Sequence, residues 1–417
     1  MGIFTVVCTL EITGGAIYRG LQRFADRDSF ISSSVTLIGA TSLITLLLYI
    51  IFKEQINATT GMSSTLTLLL ILQIFLSGVL NIYFSKCRYS YEYKRITFIN
   101  LLVALLSPTL TLFLVKFTLL GAYSRMVAPI VVTAIITAPI LISFFKRTKF
   151  RHSLNFWKFL LGYSLPLLPH FIASSLSMQI GKISVARYYG EAALAHFSVA
   201  FTLGFAISVI TGAVSGAIHP WINRKLATEK TSLIEKTVKD LFILLSTSTL
   251  IFLTAVPEIM RLFAPISYFD ALEAVYPTAA AVLISFLSLT VCTVLSYFGK
   301  NHFVTITSVT GALLSVSLNY FFAPFIGYTK IAFIPLVTQT VVLLLNLISV
   351  WGVLKKSPFS LKDYLLPIAS LFIGSALLYL LRNSLASRIL FAVSLIMILI
   401  LQLPSALSLI REQNTKS

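Results

Sequence analysis

Residues 98–117 read FINLLVALLSPTLTLFLVKF, an apolar run whose single charged side chain is Lys116 near its end. A helix of about 20 residues crosses the roughly 30 Å hydrocarbon core of a bilayer. Similar apolar blocks recur from Phe4 to Ile410, and most Lys and Arg residues lie in the gaps between them. This pattern predicts an all-α polytopic membrane protein.

The apolar blocks predict about 13 membrane-spanning helices. They lie near residues 3–18, 31–52, 63–84, 98–117, 121–145, 157–180, 192–216, 241–257, 276–298, 303–325, 331–354, 364–381 and 389–410. The most basic early break, KRTKFRH at 146–152, divides them into two groups. We therefore expect two helical bundles, an amino-terminal lobe at 1–150 and a carboxy-terminal lobe at 151–354, followed by two further spans and a short cytoplasmic tail at 355–417.

The composition agrees with a membrane protein, because only 11% of the residues are charged and the mean hydropathy is +0.92. Ordinary globular domains carry about 25% charged residues. The net charge of +18 is typical of basic loops beside anionic lipid, so we expect no nucleic-acid partner. The three cysteines lack metal-ligand spacing and a partner histidine cluster, which predicts neither a metal site nor a disulfide framework.

Lys and Arg are concentrated in alternate gaps, and such gaps mark the cytoplasmic side of a membrane. This bias predicts a cytoplasmic carboxyl terminus. With 13 spans the amino terminus would then lie outside, although no charged segment precedes the first apolar block. We expect that a first span is missing, from a late start codon or a truncation, in preference to a natural chain of 13 spans.

No gap is long enough to fold as a separate catalytic domain, and the P-loop, HExxH and GxSxG motifs are absent. The chain is therefore predicted not to be an enzyme and to need no cofactor. Many-span chains of this kind are typical of secondary transporters and lipid translocases.

Two segments resemble a known family. FWKFLLGYSLPLLPHFIASSLSMQIGKISVARYYGEAALAHFSVAFTLG at 156–204, followed by HPWINRKL at 219–226, resembles the seventh and eighth spans of Wzx-type polysaccharide flippases. These belong to the multidrug/oligosaccharidyl-lipid/polysaccharide exporter superfamily. LEITGGAIYRGLQRFADRDSFISS at 10–33 is similar to the second span and first cytoplasmic turn of the same family. Two features depart from the family: its first span is absent, and Gly181 replaces the acidic residue that precedes the basic one.

The resemblance implies a two-lobed architecture like that of MATE transporters and MurJ, with 14 spans expected. It also implies a bacterial inner-membrane flippase that moves an undecaprenyl-diphosphate-linked oligosaccharide, such as an O-antigen, capsule or exopolysaccharide repeat unit, to the outer leaflet by alternating access. The polysaccharide polymerase and chain-length machinery are possible partners by the same resemblance.

Four cations near membrane depth are candidate ligands of the diphosphate, because a buried unpaired charge is costly and intramembrane ionisable residues are usually functional. These are Arg125, Lys116, Lys182 and Arg187. Each has a structural alternative: Arg125 and Lys116 could extend to the outer headgroups, and Lys182 and Arg187 could belong to a solvated outer loop.

Three further residues are candidates for ion coupling: Glu11, His170 and His196. Glu11 could instead neutralise a basic partner, and a buried histidine is more often hydrogen-bonded between helices than catalytic. His is nevertheless the side chain that changes charge most readily near neutral pH.

Two other functions are compatible with the sequence. A cation-coupled multidrug antiporter of the same superfamily would favour buried carboxylates, whereas Glu11 is the clearest one here. A glycan polymerase with many spans would need a long outer loop, and the longest candidate, Pro257 to Tyr276, is short.

Overall fold

The computed structural model describes residues 2–13, 16–90, 92–148, 153–227, 231–353, 359, 361–382 and 384–414. Every regular element in these ranges is a helix, which confirms the predicted all-α class. The α-helices, in chain order, are α1 Gly2–Thr9, α2 Ala16–Arg23, α3 Arg27–Ile51, α4 Lys53–Thr60, α5 Ser64–Tyr89, α6 Tyr93–Phe117, α7 Ser124–Thr148, α8 Leu154–Ser164, α9 Leu168–Phe205, α10 Ile207–Ala227, α11 Thr231–Phe263, α12 Val275–Tyr297, α13 Asn301–Ile326, α14 Phe333–Val353, α15 Leu361–Leu381 and α16 Leu385–Asn414.

Within the described ranges, nine helical stretches are long and apolar enough to cross a membrane. One of them, Leu168–Leu226, covers two of the predicted spans, and shorter apolar helices follow at Ile368–Leu381 and Leu385–Ile400. The protein is thus a multi-pass membrane protein.

The unbroken first span predicted near 3–18 is wrong. Helix α1 ends at Thr9, and Leu10 and Glu11 have φ angles of 48° and 44°, which a right-handed helix does not contain. The Thr9 hydroxyl donates to the Thr5 carbonyl and accepts from the Glu11 amide, which stabilises the turn. A helix as short as α1 rises only about 12 Å.

The gap expected between the spans near 157–180 and 192–216 is reduced to a break in the helix at Gly190. Helical conformation continues on both sides of Gly190, whose φ of 85° and ψ of 177° break α9 at one residue. That backbone region is open essentially to glycine alone. The Tyr189 hydroxyl beside the break donates to the Ala323 carbonyl at 2.7 Å and accepts from the Gly327 amide at 2.9 Å.

The chain forms two compact units, Met1–Ser175 and Leu176–Ser417. The lobe boundaries predicted at 150/151 and 354/355 fall on residues outside the described ranges. The division of the chain into lobes at these residues therefore stays a prediction.

The amino-terminal unit is organised around α3. Its buried side chains, including Phe30 and Ile38, pack with Val79 of α5. Helix α8 is attached to α3 because the Trp157 indole donates to the Ser33 carbonyl at 2.9 Å. The Ser153 amide, at the N-cap of α8, donates to the Ser33 hydroxyl at 3.2 Å. Both bonds fix the orientation of α8 on α3.

The carboxy-terminal unit is organised around α12, most of whose side chains are buried. The Asn346 amide of α14 connects three helices: its oxygen accepts from Thr307 at 2.7 Å, and its nitrogen donates to Ser288 at 2.8 Å. All three side chains are buried. Because an unsatisfied buried polar group is costly, these bonds fix how α12, α13 and α14 pack together.

The three cysteines, Cys8, Cys87 and Cys292, are free and buried, with side chains that are 0%, 3% and 8% exposed. They lie in α1, α5 and α12. A disulfide between them is not formed.

Candidate functional site

A cavity of about 270 Å³ lies in the carboxy-terminal unit between α9, α10, α12 and α14. Its polar lining consists of uncharged side chains, among them Ser177, Ser208, Ser215, Ser285, Thr338 and Gln339. Aromatic side chains, Phe201, Phe205 and Phe286, form part of the remaining wall. Among the described residues, none that lines this cavity is charged.

Several hydroxyl groups of the lining use their hydrogen within their own helix. Thr278 donates to the Ala274 carbonyl at 2.7 Å, and Thr338 donates to the Pro335 carbonyl at 3.1 Å. Each hydroxyl oxygen keeps acceptor capacity. The cavity therefore has the chemistry to bind an uncharged group that carries hydrogen-bond donors and an apolar face.

Lys182 approaches the cavity through one of its walls. The Lys182 Nζ lies 4.4 Å from the centroid of the Phe201 ring, and Phe201 lines the cavity. Phe201 in turn stacks on Phe205, with 5.8 Å between ring centroids. Lys182 is half-buried, and a cation over an aromatic face is stabilised by about 0.5–2 kcal/mol depending on exposure.

His196 belongs to a polar network near the segment Ile266–Ala274. Its Nδ1 lies 3.3 Å from Asp270 Oδ1, and its ring lies 4.3 Å from that of Tyr268. The Tyr328 hydroxyl donates to the other Asp270 oxygen. Burial, together with this bond to Asp270, raises the pKa of Tyr328 above its ordinary value.

A second carboxylate, Glu273, extends this network. It accepts from the Thr329 hydroxyl at 3.1 Å and from the Tyr379 hydroxyl at 3.4 Å. The sequence alone identified His196 but not its partner Asp270, which is distant in the chain. The charged residues between Pro257 and Tyr276 are the feature of the sequence that could have indicated this partner.

Arg388 forms a buried ion pair that the sequence analysis does not predict. It lies in α16 with a side chain that is 3% exposed. Its Nη2 donates to Glu258 Oε1 at 2.6 Å, and its Nη1 donates to the Thr254 carbonyl at 2.8 Å. The pair joins α11 to α16 and is structural.

Arg125 and Lys116 lie in the amino-terminal unit, at the start of α7 and in the last turn of α6. Both side chains are exposed, and Lys116 Nζ lies 5.5 Å from the Phe117 ring centroid. Neither forms an ion pair with a described carboxylate. Their role as diphosphate ligands stays a prediction.

The remaining candidates are separate from the cavity lining. Arg187 is exposed, with its guanidinium 5.6 Å from the Tyr188 ring centroid. Glu11 is half-buried and forms no ion pair within the described ranges, so the expected basic partner is not found there. His170 is half-buried in α9, with its ring 5.2 Å from that of Phe171.

A search of the described residues for three or more His, Cys, Asp or Glu side chains that could hold a metal ion finds none. The chemistry of the described cavity is therefore that of hydrogen bonding, aromatic stacking and one nearby ammonium group.

Comparison with known protein families matches residues 19–260 to the profile of polysaccharide biosynthesis proteins. The match covers more than half of the chain. A search of curated protein sequences finds no significant match.

Among solved structures, the chain is similar to "Lipid II flippase MurJ, inward closed conformation", with a TM-score of 0.70 and 14% identity over 95% of this chain and 88% of that one. It is also similar to an inward-facing multidrug resistance MATE family transporter of the MOP superfamily, with a TM-score of 0.66 and 16% identity over 89% and 88% of the two chains. The outward-facing conformation of such a transporter matches with a TM-score of 0.59 and 17% identity, over 89% and 86%. At these identities the similarity shows the fold alone.

Proposed function

Because the chain belongs to the polysaccharide biosynthesis protein family, we propose that it is a flippase for a polyisoprenyl-diphosphate-linked oligosaccharide. It would move the oligosaccharide from the cytoplasmic to the outer leaflet of a bacterial inner membrane. An undecaprenyl-diphosphate carrier bearing an O-antigen, capsule or exopolysaccharide repeat unit is the proposed substrate.

The observation that supports this proposal best is the uncharged, hydroxyl-rich cavity of the carboxy-terminal unit with Lys182 at its Phe201 wall. Sugar hydroxyls donate and accept hydrogen bonds, and the apolar face of a sugar ring packs on aromatic rings. A cavity of about 270 Å³ is slightly smaller than the roughly 300 Å³ at which pockets for small molecules begin. It fits about one sugar unit at a time.

The proposed mechanism divides the substrate into three parts. The sugar enters the cavity, the diphosphate is neutralised by cations, and the isoprenoid tail stays in lipid. A bare diphosphate cannot enter hydrocarbon, because burying an unpaired charge costs many kcal/mol. Lys182 and Arg187 would supply cations in the carboxy-terminal unit, and Arg125 and Lys116 are the proposed ligands in the amino-terminal unit.

We propose that the protein works by alternating access, as two rigid bundles do in many transporters. The fold is similar to structures described as inward-facing and as outward-facing, which supports this view. His196 beside Asp270 is the proposed coupling group in the carboxy-terminal unit, and Glu11 and His170 are the other candidates. A cytoplasmic carboxyl terminus and cooperation with a polysaccharide polymerase and chain-length machinery are part of the same proposal.

The alternative is a cation-coupled multidrug antiporter, since some structures of this fold are multidrug transporters. A pocket for cationic drugs would favour carboxylates, whereas the described cavity has none and has a lysine beside it. This observation favours an anionic substrate.

Reconstitution tests the proposal directly. The full chain is placed in liposomes with a fluorescent undecaprenyl-diphosphate oligosaccharide, and the labelled lipid in each leaflet is followed with a membrane-impermeant quencher. We expect transfer between leaflets well above that of protein-free liposomes. Transfer equal to protein-free liposomes, together with export of a cationic dye by the same preparation, would establish the antiporter instead.

A further inference from the structure

Two arginines of α2 lie on two aromatic rings of α8. The Arg19 guanidinium carbon is 5.2 Å from the Tyr163 ring centroid, and that of Arg23 is 5.4 Å from the Phe159 ring centroid. Residues four apart on a helix are neighbours on one face. The four side chains therefore form two adjacent arginine–aromatic pairs, which we call the arginine ladder.

The arginine residues of the ladder are positioned by the packing of α2 on α3. Helix α2 buries Ala16, Ile17 and Leu21 and exposes Arg19 and Arg23. Gly20 allows close packing on α3, because a Cβ atom there would overlap the Phe30 ring.

The aromatic residues of the ladder are positioned by α3 as well. Helix α8 is bonded to α3 through Trp157 and Ser153, as described above. Both sides of the ladder are therefore positioned by α3 before any ligand arrives.

The positive charges of the ladder are not neutralised within the described residues, where neither Arg19 nor Arg23 forms an ion pair. Two acidic side chains of this unit have other partners: Asp28 accepts from Lys86, and Glu92 accepts from Arg95, each at 2.6 Å.

The stacking leaves the hydrogen-bond donors of the ladder available. A guanidinium group stacked on a ring keeps the N–H donors at its edge available for an anion. Among the described residues, no hydrogen bond occupies the guanidinium donors of Arg19 or Arg23.

We propose that the arginine ladder binds phosphate groups at the membrane surface. Two guanidinium groups, on Cβ atoms about 5–6 Å apart, match two linked phosphates, and each planar fork can hold one phosphate through two charge-assisted bonds. Helix α2 lies outside the candidate membrane spans, and its apolar and basic faces are typical of helices at the lipid–water interface.

The inference rests on the proposed function for its ligand, the diphosphate of the lipid-linked substrate before it enters the transport path. The phosphate of an anionic phospholipid offers the same chemistry. The two sources differ in the number of linked phosphates, and binding measurements can separate them.

The test uses the full chain in phosphatidylcholine nanodiscs, with radiolabelled farnesyl diphosphate as one probe and phosphatidylglycerol, added to the nanodiscs, as the other. Three variants are compared with the wild type: Arg19→Gln/Arg23→Gln, Arg19→Lys/Arg23→Lys, and Lys158→Gln. Lys158 is a matched control, because it is an exposed cation of α8 next to Phe159 and forms no aromatic or ion pair among the described residues.

We expect the double glutamine variant to bind farnesyl diphosphate at least tenfold more weakly, the double lysine variant to be intermediate, and Lys158→Gln to change affinity less than twofold. Loss of phosphatidylglycerol enrichment in the double glutamine variant, with farnesyl diphosphate binding unchanged, would identify a lipid headgroup as the phosphate source. If Lys158→Gln weakens the binding of both probes as much as the double glutamine variant does, the ladder is not a phosphate-binding site.

The result of this binding test is independent of the result of the flippase test. If binding depends on Arg19 and Arg23 but the protein fails to flip the fluorescent substrate, the phosphate site is supported and the flippase proposal is rejected. Flipping and binding that are both unchanged in the double glutamine variant would keep the flippase and overturn the site.

Discussion

His196 and Asp270 face each other across the carboxy-terminal unit, with 3.3 Å between Nδ1 and Oδ1. The same carboxylate accepts from Tyr328, so that Asp270, in the 3₁₀ helix Ile266–Ala274, connects α9 to the turn that follows α13.

We expect His196 and Asp270 to be energetically coupled. The variants His196→Gln and Asp270→Asn should each lower the thermal stability, and the double variant should lose less than the sum, with a coupling free energy of about 0.5–3 kcal/mol. Thermal unfolding of the four proteins in detergent measures this coupling. Additive losses in the double variant would show that the pair is not coupled.

Removing one partner of the Glu258–Arg388 pair should be costly, because Arg388 is buried at 3% exposure. We expect Glu258→Gln to lower the free energy of unfolding by about 2 kcal/mol, since hydrogen bonds to charged groups contribute roughly 1.5–3 kcal/mol. Glu191→Gln, an exposed acidic position, is the matched control.

Replacing both partners of that pair gives a second comparison. The variant Glu258→Gln/Arg388→Met leaves no buried unpaired charge and should be more stable than Glu258→Gln alone. Equal melting temperatures for Glu258→Gln and the wild type would show that the pair contributes nothing to stability.

Gly190→Ala should destabilise the carboxy-terminal unit although a Cβ there meets no atom within 4 Å. The cost is conformational, because φ 85° and ψ 177° are open essentially to glycine, and a residue forced into such a region costs of order 1–3 kcal/mol. Gly216→Ala is the control, since Gly216 is helical with the same free space. A melting temperature lowered by both substitutions equally would argue against a backbone effect.

Lys182→Gln should reduce transfer of the fluorescent lipid-linked oligosaccharide at least about tenfold, because one charge-assisted bond contributes roughly 1.5–3 kcal/mol. The protein should remain folded, since the amide can still lie on the Phe201 ring. Lys300→Gln, at an exposed helix N-cap, should leave transfer unchanged. Unchanged transfer in Lys182→Gln at equal protein level would remove Lys182 from the substrate path.

The sequence was sufficient to predict where most helices lie, because the hydropathy of a membrane helix is a local property. The span predicted near 98–117, for example, lies in α6, and the span predicted near 276–298 agrees with α12 to within one residue at each end. The first span was misjudged because the left-handed turn at Leu10 and Glu11 depends on local hydrogen bonds that composition does not report.

The candidate site was predictable only in part. Lys182 and His196 were identified as unusual charged groups in apolar sequence, whereas the hydroxyl lining of the cavity was not. Serine and threonine are ordinary in membrane helices, and those of the lining come from four separate helices that only packing brings together. The Glu258–Arg388 pair was not predictable, because the two residues are distant in sequence.

The burial of Cys8, Cys87 and Cys292 makes the chain suited to chemical mapping. A thiol reagent that stays in water reaches these side chains poorly, since reactivity needs an accessible thiolate. A cysteine introduced at an exposed position would then be the principal reactive thiol in an otherwise native background. Labelling of such a cysteine from the outside of a sealed vesicle would show on which side of the membrane its position lies. A series of these variants would give the orientation of each connecting segment, with the rest of the native sequence unchanged.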